Sequence, residues 1–98
     1  MAGDGVVAVR VPTILRSYTG GAAQVSVPVA AGGTLADVLA ALDAAYPGIR
    51  GRVVDEAGRL RRFVNVYVDD EDVRFAAGLD TPAAGGAQVS VIPAVAGG

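Results

Sequence analysis

With 98 residues the chain makes one domain around one core, and with no His, no Cys and only Arg among its 8 basic residues it lacks Ser-His and Cys-His nucleophiles, the usual zinc ligands, disulfides, and the lysines of P-loops and pyridoxal Schiff bases. The formal net charge of −2 lacks the basic footprint of a nucleic-acid binder, no apolar run approaches the roughly 20 residues that span a bilayer, and residues 1–5 lack the start of a signal peptide. The expectation is a cytoplasmic protein with no nucleic acid, membrane or metal to hold, in which only carboxylates, hydroxyls and the chain ends can do chemistry.

Val7, Val9 and Val11 alternate with Val6, Ala8 and Arg10, and Val25, Val27 and Val29 alternate with Gln24, Ser26 and Pro28. Period-two alternation of this kind predicts two strands. The stretch between them, residues 12–23, contains Ser17, Gly20 and Gly21 and reads as an open hairpin loop. Gly32 and Gly33 before Thr34 fit neither GxGxxG nor GxxxxGK[ST], so they read as a turn into a helix rather than a phosphate cradle. Leu35, Val38, Leu39, Leu42 and Tyr46 then form one stripe at helical spacing. Thr34 with Asp37 makes a capping box that uses Asp for the usual Glu, and Pro47-Gly48 stops the helix.

Arg59, Arg61 and Arg62 read as a solvated loop flank, with an anion site as the alternative. Val64, Val66 and Val68 alternate with Phe63, Asn65 and Tyr67, and a short strand is expected near Val73 and Phe75. Between them stand Asp69, Asp70, Glu71 and Asp72. Contiguous carboxylates point in different directions and lack the Gly and Glu spacing of a calcium loop, so this is a solvated turn or an acidic contact for a basic partner. A last strand places Val89, Val91 and Pro93 opposite Gln88, Ser90 and Ile92. The sum is an α+β roll: a mixed sheet of four to five strands whose all-valine face is covered by one main helix.

The other face stays open. Phe63, Tyr67 and Ile92, mixed with Asn65, Ser90, Ser26 and Arg10, would project from it as a candidate docking surface. Ordinary scatter of apolar side chains is the plainer alternative. After the domain, residues 1–93, comes a tail, residues 94–98, ending Ala94-Val95-Ala96-Gly97-Gly98. Extended, it reaches roughly 17 Å. Gly97 and Gly98 have no Cβ, so the backbone could pass a constriction and bring a terminal carboxylate against a nucleotide phosphate. Val95 and Ala96 join Phe63, Asn65, Tyr67 and Ile92 as candidate partner contacts. Fraying of a glycine-rich end is the alternative.

The single-helix roll with Gly97-Gly98 behind it resembles the ubiquitin-like β-grasp sulfur carriers of the MoaD and ThiS group. The run Arg62-Phe63-Val64-Asn65-Val66-Tyr67-Val68-Asp69-Asp70-Glu71-Asp72-Val73-Arg74-Phe75, followed by Gly78-Leu79-Asp80-Thr81, is similar to the CysO-type carriers of actinobacteria. So are Val11-Pro12-Thr13-Ile14-Leu15-Arg16 and Val91-Ile92-Pro93-Ala94-Val95-Ala96-Gly97-Gly98. Where such carriers often have an Asp-Gly-Asp turn before the last strand, this chain has Ala84-Gly85-Gly86-Ala87, so the resemblance implies no partner contact through that turn.

The resemblance implies that Gly98 and Gly97 are the working residues of a protein co-substrate rather than an enzyme. No cofactor would be bound, and ATP would be consumed by a ubiquitin-activating-type adenylyltransferase and sulfurtransferase that converts the Gly98 carboxylate to a thiocarboxylate. It further implies a sulfur-accepting biosynthetic enzyme: in CysO-type systems a pyridoxal-dependent cysteine synthase with a metalloprotease that releases the product, while other actinobacterial carriers serve cofactors or sulfur-containing secondary metabolites. The alternatives are the small sulfur-donating subunit of molybdopterin synthase, a ubiquitin-like protein modifier, and a bare interaction module.

Overall fold

The computed structural model describes residues 5–30, 32–62, 64–83 and 85–93. Strand β1, Gly5–Arg10, runs through a 3₁₀ helix, Thr13–Thr19, into β2, Gln24–Val29. Helix α1, Leu35–Ala45, and a short α2, Arg50–Val53, precede β3, Val64–Val68, and β4, Glu71–Asp72. Two 3₁₀ turns, Val73–Phe75 and Gly78–Asp80, lead to β5, Gln88–Pro93. The sheet order is β2-β1-β5-β3-β4, with β1 and β5 parallel at the centre and every other pair antiparallel. This is the α+β, β-grasp arrangement expected from the sequence.

The valine face is the core. Val7, Val9, Val27, Val66 and Val89 are essentially inaccessible, and α1 lays Leu35, Val38, Leu39 and Leu42 over them. Each such side chain contributes about 1.5–3 kcal/mol on burial, which is why one amphipathic helix suffices to close so small a fold. The helix starts where its sequence says it should: the Asp37 carboxylate accepts from the Thr34 N–H at 2.9 Å and from its hydroxyl at 3.3 Å. Gly32, with φ +73°, turns the chain into Thr34. After α1 the Asp43 carboxylate accepts from the N–H groups of Gly48 and Arg50, tying the helix to α2.

Two local expectations are corrected, and one element was not expected at all. Residues 12–23 are not an open loop: Leu15 and Thr19 are buried, the Thr19 hydroxyl lies 2.9 Å from the Ala22 carbonyl oxygen, and Gly20 closes the turn at φ +67°. Burial of Leu15 folds the connection onto the end of the sheet. Helix α2 is unforeseen, because it spans four residues and hides only Ile49, Val53 and Val54 beneath exposed Arg52. The expected strand at Val73–Phe75 lies earlier, at Glu71–Asp72. Asp69 and Asp70 have φ of 50° and 71°, which makes a two-residue type I′ hairpin turn, so pairing resumes at once with Val68 opposite Glu71. The Asp72 carboxylate then accepts from the Arg74 N–H and turns the chain away from the sheet.

The turn before β5 is a crossing of two backbones. Gly85 packs against Gly5, leaving no room for a side chain on either. Gly86, at φ +89°, donates to the Val6 carbonyl at 3.0 Å, and the Ala8 N–H donates to Ala87 at 3.2 Å. At Gly5 and Gly85 the close approach excludes a Cβ, and only glycine fits without a shift of backbone.

Candidate functional site: the open face and the root of the tail

Register decides what the open face presents. β3 and β5 pair Asn65 with Ile92 and Tyr67 with Ser90, while Ser90 lies beside Arg10 and Arg10 beside Gln24. One transverse row therefore reads Gln24, Arg10, Ser90, Tyr67, Asp72. Ile92 is 49% exposed next to half-buried Asn65. The structure thus brings Asn65, Tyr67 and Ile92 onto one face. Phe63 and the tail residues Val95, Ala96, Gly97 and Gly98 lie outside the described residues.

Asn65 differs from its expected role in one respect. Its side-chain oxygen accepts from an Arg74 guanidinium N–H at 2.7 Å, and the same guanidinium donates to the Arg61 carbonyl at 2.6 Å. Arg74 is a strap that holds the start of β3 against the turn after β4, and Asn65 is one of its anchors. The acidic run is likewise structural in part. The Asp69 N–H donates to Gln88 at 2.9 Å while its carboxylate accepts the Gln88 N–H at 2.9 Å, so a side chain finishes the β3–β5 ladder where the backbone has turned away.

The end of the sheet from which the tail departs carries features that the strand pattern did not reveal. The 3₁₀ helix Thr13–Thr19 walls a groove of about 820 Å³ that Arg10, Ile14, Ser90 and Ile92 line. A smaller hollow of about 310 Å³ adjoins it, lined by Leu15, Arg52, Arg61 and Val64. Pro12, Ile14, Val91 and Pro93 belong to both. Ile14 is 68% exposed while its neighbour Leu15 is buried. An apolar pair inside a supposed loop was the available signal. Arg16 is fixed at this end by a 3.1 Å bond from its Nε to the Val11 carbonyl. Nearby, the N–H groups of Arg59 and Ala57 and the charges of Arg59 and Arg61 hold the Asp55 carboxyl below the usual carboxylate range.

A mixed five-stranded sheet with its parallel pair β1 and β5 inside and one long helix over one face defines a ubiquitin-like β-grasp fold. A family model described as the ThiS family matches residues 9–98. The chain belongs to the ThiS family. It is 53% identical over 94 residues to the sulfur carrier protein CysO of Mycobacterium tuberculosis, covering 94% of this chain and 98% of that protein. The crystal structure of Mycobacterium tuberculosis CysO superposes with a TM-score of 0.81 at 50% identity, covering 91% of this chain and 99% of the other. A chain in the crystal structure of the Amycolatopsis orientalis BexX/CysO complex gives a TM-score of 0.84 at 43% identity, covering 94% of this chain and 99% of the other.

Proposed function

We propose that this chain is a sulfur carrier of the CysO type whose reactive group is the carboxylate of Gly98. The observation that carries the reading is the ThiS-family match, which runs through the domain and onto Gly97-Gly98. A carboxylate is a poor acyl donor. An ATP-using, ubiquitin-activating-type partner would let the Gly98 oxygen attack the α-phosphorus, expel pyrophosphate and leave an acyl adenylate. The terminal sulfur of a partner persulfide then attacks the acyl carbon and AMP departs. A further thiol reduces the resulting acyl disulfide and frees the thiocarboxylate. The softer, readily ionised sulfur is the nucleophile passed to the acceptor.

Acid, base, metal and nucleotide site all belong to the partner in this scheme. The chain supplies a threaded acyl group and a recognition surface, a division of labour consistent with a sequence without His, Cys or Lys. The acceptor in this reading is a pyridoxal-dependent cysteine synthase, with a metalloprotease releasing the product, and the reactions take place in the cytoplasm. Among the described residues no helix is long and apolar enough to cross a membrane.

Intact-mass analysis of the protein from its own host is the direct test: a population with one oxygen replaced by sulfur, mapped to the C-terminal peptide, is the expected result. Gly97→Ala, or one residue added after Gly98, should leave the fold unchanged and abolish adenylation, because each alters only the threaded segment. Normal adenylation of the extended chain would refute the reading.

A further inference from the structure

The two hollows at the root of the tail have an unusual charge balance. Arg10 and Arg16 line the larger and Arg52 and Arg61 the smaller, so they hold half of the chain's 8 arginines. Among the described residues neither hollow is lined by an Asp or Glu, although the chain has 10 acids and a net charge of −2. The densest acidic run lies at the other end. β3 runs antiparallel to β5, so Val64 sits beside Pro93 while Val68 sits beside Val89, and Asp69 to Asp72 follow Val68. The Arg74 guanidinium adds to the basic end by reaching the carbonyls of Arg61 and Arg62. Cations therefore outnumber acids where the tail begins, with the Asp55 carboxylate offsetting part of the charge of Arg61, around an apolar floor of Pro12, Ile14, Val91 and Pro93.

We infer that this arginine-rimmed groove docks an acidic segment of the partner protein that receives the tail, with a large apolar side chain of that segment seated against Ile14 and Pro93. The inference rests on the carrier reading for the identity of the partner. The floor supplies desolvated apolar contact, and the four guanidiniums supply positive potential over it. Carboxylates flanking an apolar anchor satisfy both, and a basic or neutral segment satisfies only the first. Such a rim also steers the tail end, rather than the acidic hairpin, toward the partner during encounter.

The test needs no activation chemistry, so its failure is distinguishable from failure of the carrier reading. The ¹⁵N-labelled full chain is titrated with an end-blocked peptide in which a Leu-Phe pair is flanked by acidic residues. Saturable amide shifts are expected at Ile14, Arg52, Arg61 and Val64, with affinity falling about five-fold or more between about 50 and 300 mM NaCl. Combined Arg52→Glu and Arg61→Glu substitution is expected to weaken binding at least about ten-fold through loss of two favourable charges. Arg52→Glu alone serves where loss of the Arg61 bond to the Gly51 carbonyl disturbs the spectrum. Absence of shifts, or equal shifts with a lysine-flanked peptide, overturns the inference. Displacement of the peptide by ADP alone would make the groove a nucleotide-phosphate site, and contacts between residues 94–98 and Ile14 in the free protein would make the tail its occupant. Either result also overturns it.

Discussion

Alanine at Gly85 tests whether the backbone crossing beside β1 is as tight as the structure shows. A methyl carbon built on Gly85 would stand 2.8 Å from the Gly5 Cα and 3.4 and 3.5 Å from the Gly5 carbonyl carbon and nitrogen. Carbon atoms pack best near 3.5–4.0 Å. The obstacle is backbone that cannot swing aside. Gly5 pairs with Val29 across β2, the Val6 carbonyl receives the Gly86 N–H, and Ala8 donates to Ala87. Relief must come from shifting the 85–87 turn or the edge of β1, an overpacking strain of about 1–3 kcal/mol. For a domain of this size that strain lowers Tm by about 5–20 °C. Thermal unfolding followed by far-UV circular dichroism measures it, and ¹H-¹⁵N spectra should confine the perturbation to residues near 5–8 and 85–88. Gly5→Ala meets the same contact from the other side, at 2.6 Å from the Gly85 Cα, so the two losses should not add. A Gly85→Ala melting point within about 2 °C of the unsubstituted protein would show that the crossing is loose and refute the argument.

Asp70→Gly should stabilise the protein by about 0.5–1 kcal/mol, seen as a rise in Tm, because φ at Asp70 is 71° and glycine adopts this conformation without strain. Asp55 gives a pH signature. Its folded pKa is depressed, so its stabilising contribution is fully present above the unfolded value of about 3.9 and is lost as pH falls through the lower folded value. A carboxyl-carbon NMR titration should find its midpoint below that of an unstructured Asp, and Asp55→Ala should flatten the fall in stability of the 55–59 turn in that window. On the open face, the proposed docking of an activating enzyme predicts that Tyr67→Asp and Ile92→Asp each weaken that association at least about ten-fold. Unchanged affinity by surface plasmon resonance would return both residues to ordinary surface.

Much of the fold was legible because periodicity in the sequence is a direct image of burial. Val7 and Val9, Val25 and Val27, Val66 and Val68, and Val89 and Val91 all face the core, as alternation required, and Thr34, Asp37 and Gly48 stand at the ends of the one long helix. The elements that escaped are those whose signal is shorter than a period. Helix α2 has four residues and β4 two, and the position of β4 depends on positive φ at two consecutive aspartates, a conformation that non-glycine residues adopt seldom. The 3₁₀ helix was hidden because glycine and serine near Leu15 spelled loop, while burial of that leucine depends on what the rest of the sheet leaves uncovered.

For the site, the division falls between composition and adjacency. The amino-acid string alone established that this chain carries no His, Cys or Lys side chain and that it holds Gly97-Gly98 beyond the last run of alternating valines; both are statements about which atoms exist along the chain. Tertiary structure decided which residues are neighbours. Arg10 and Arg16 come to share the root of the tail with Arg52 and Arg61 because the parallel pairing of β1 with β5, the antiparallel pairing of β5 with β3 and the burial of Ile49 and Val53 around α2 carry residues far apart in the chain to one end of one sheet.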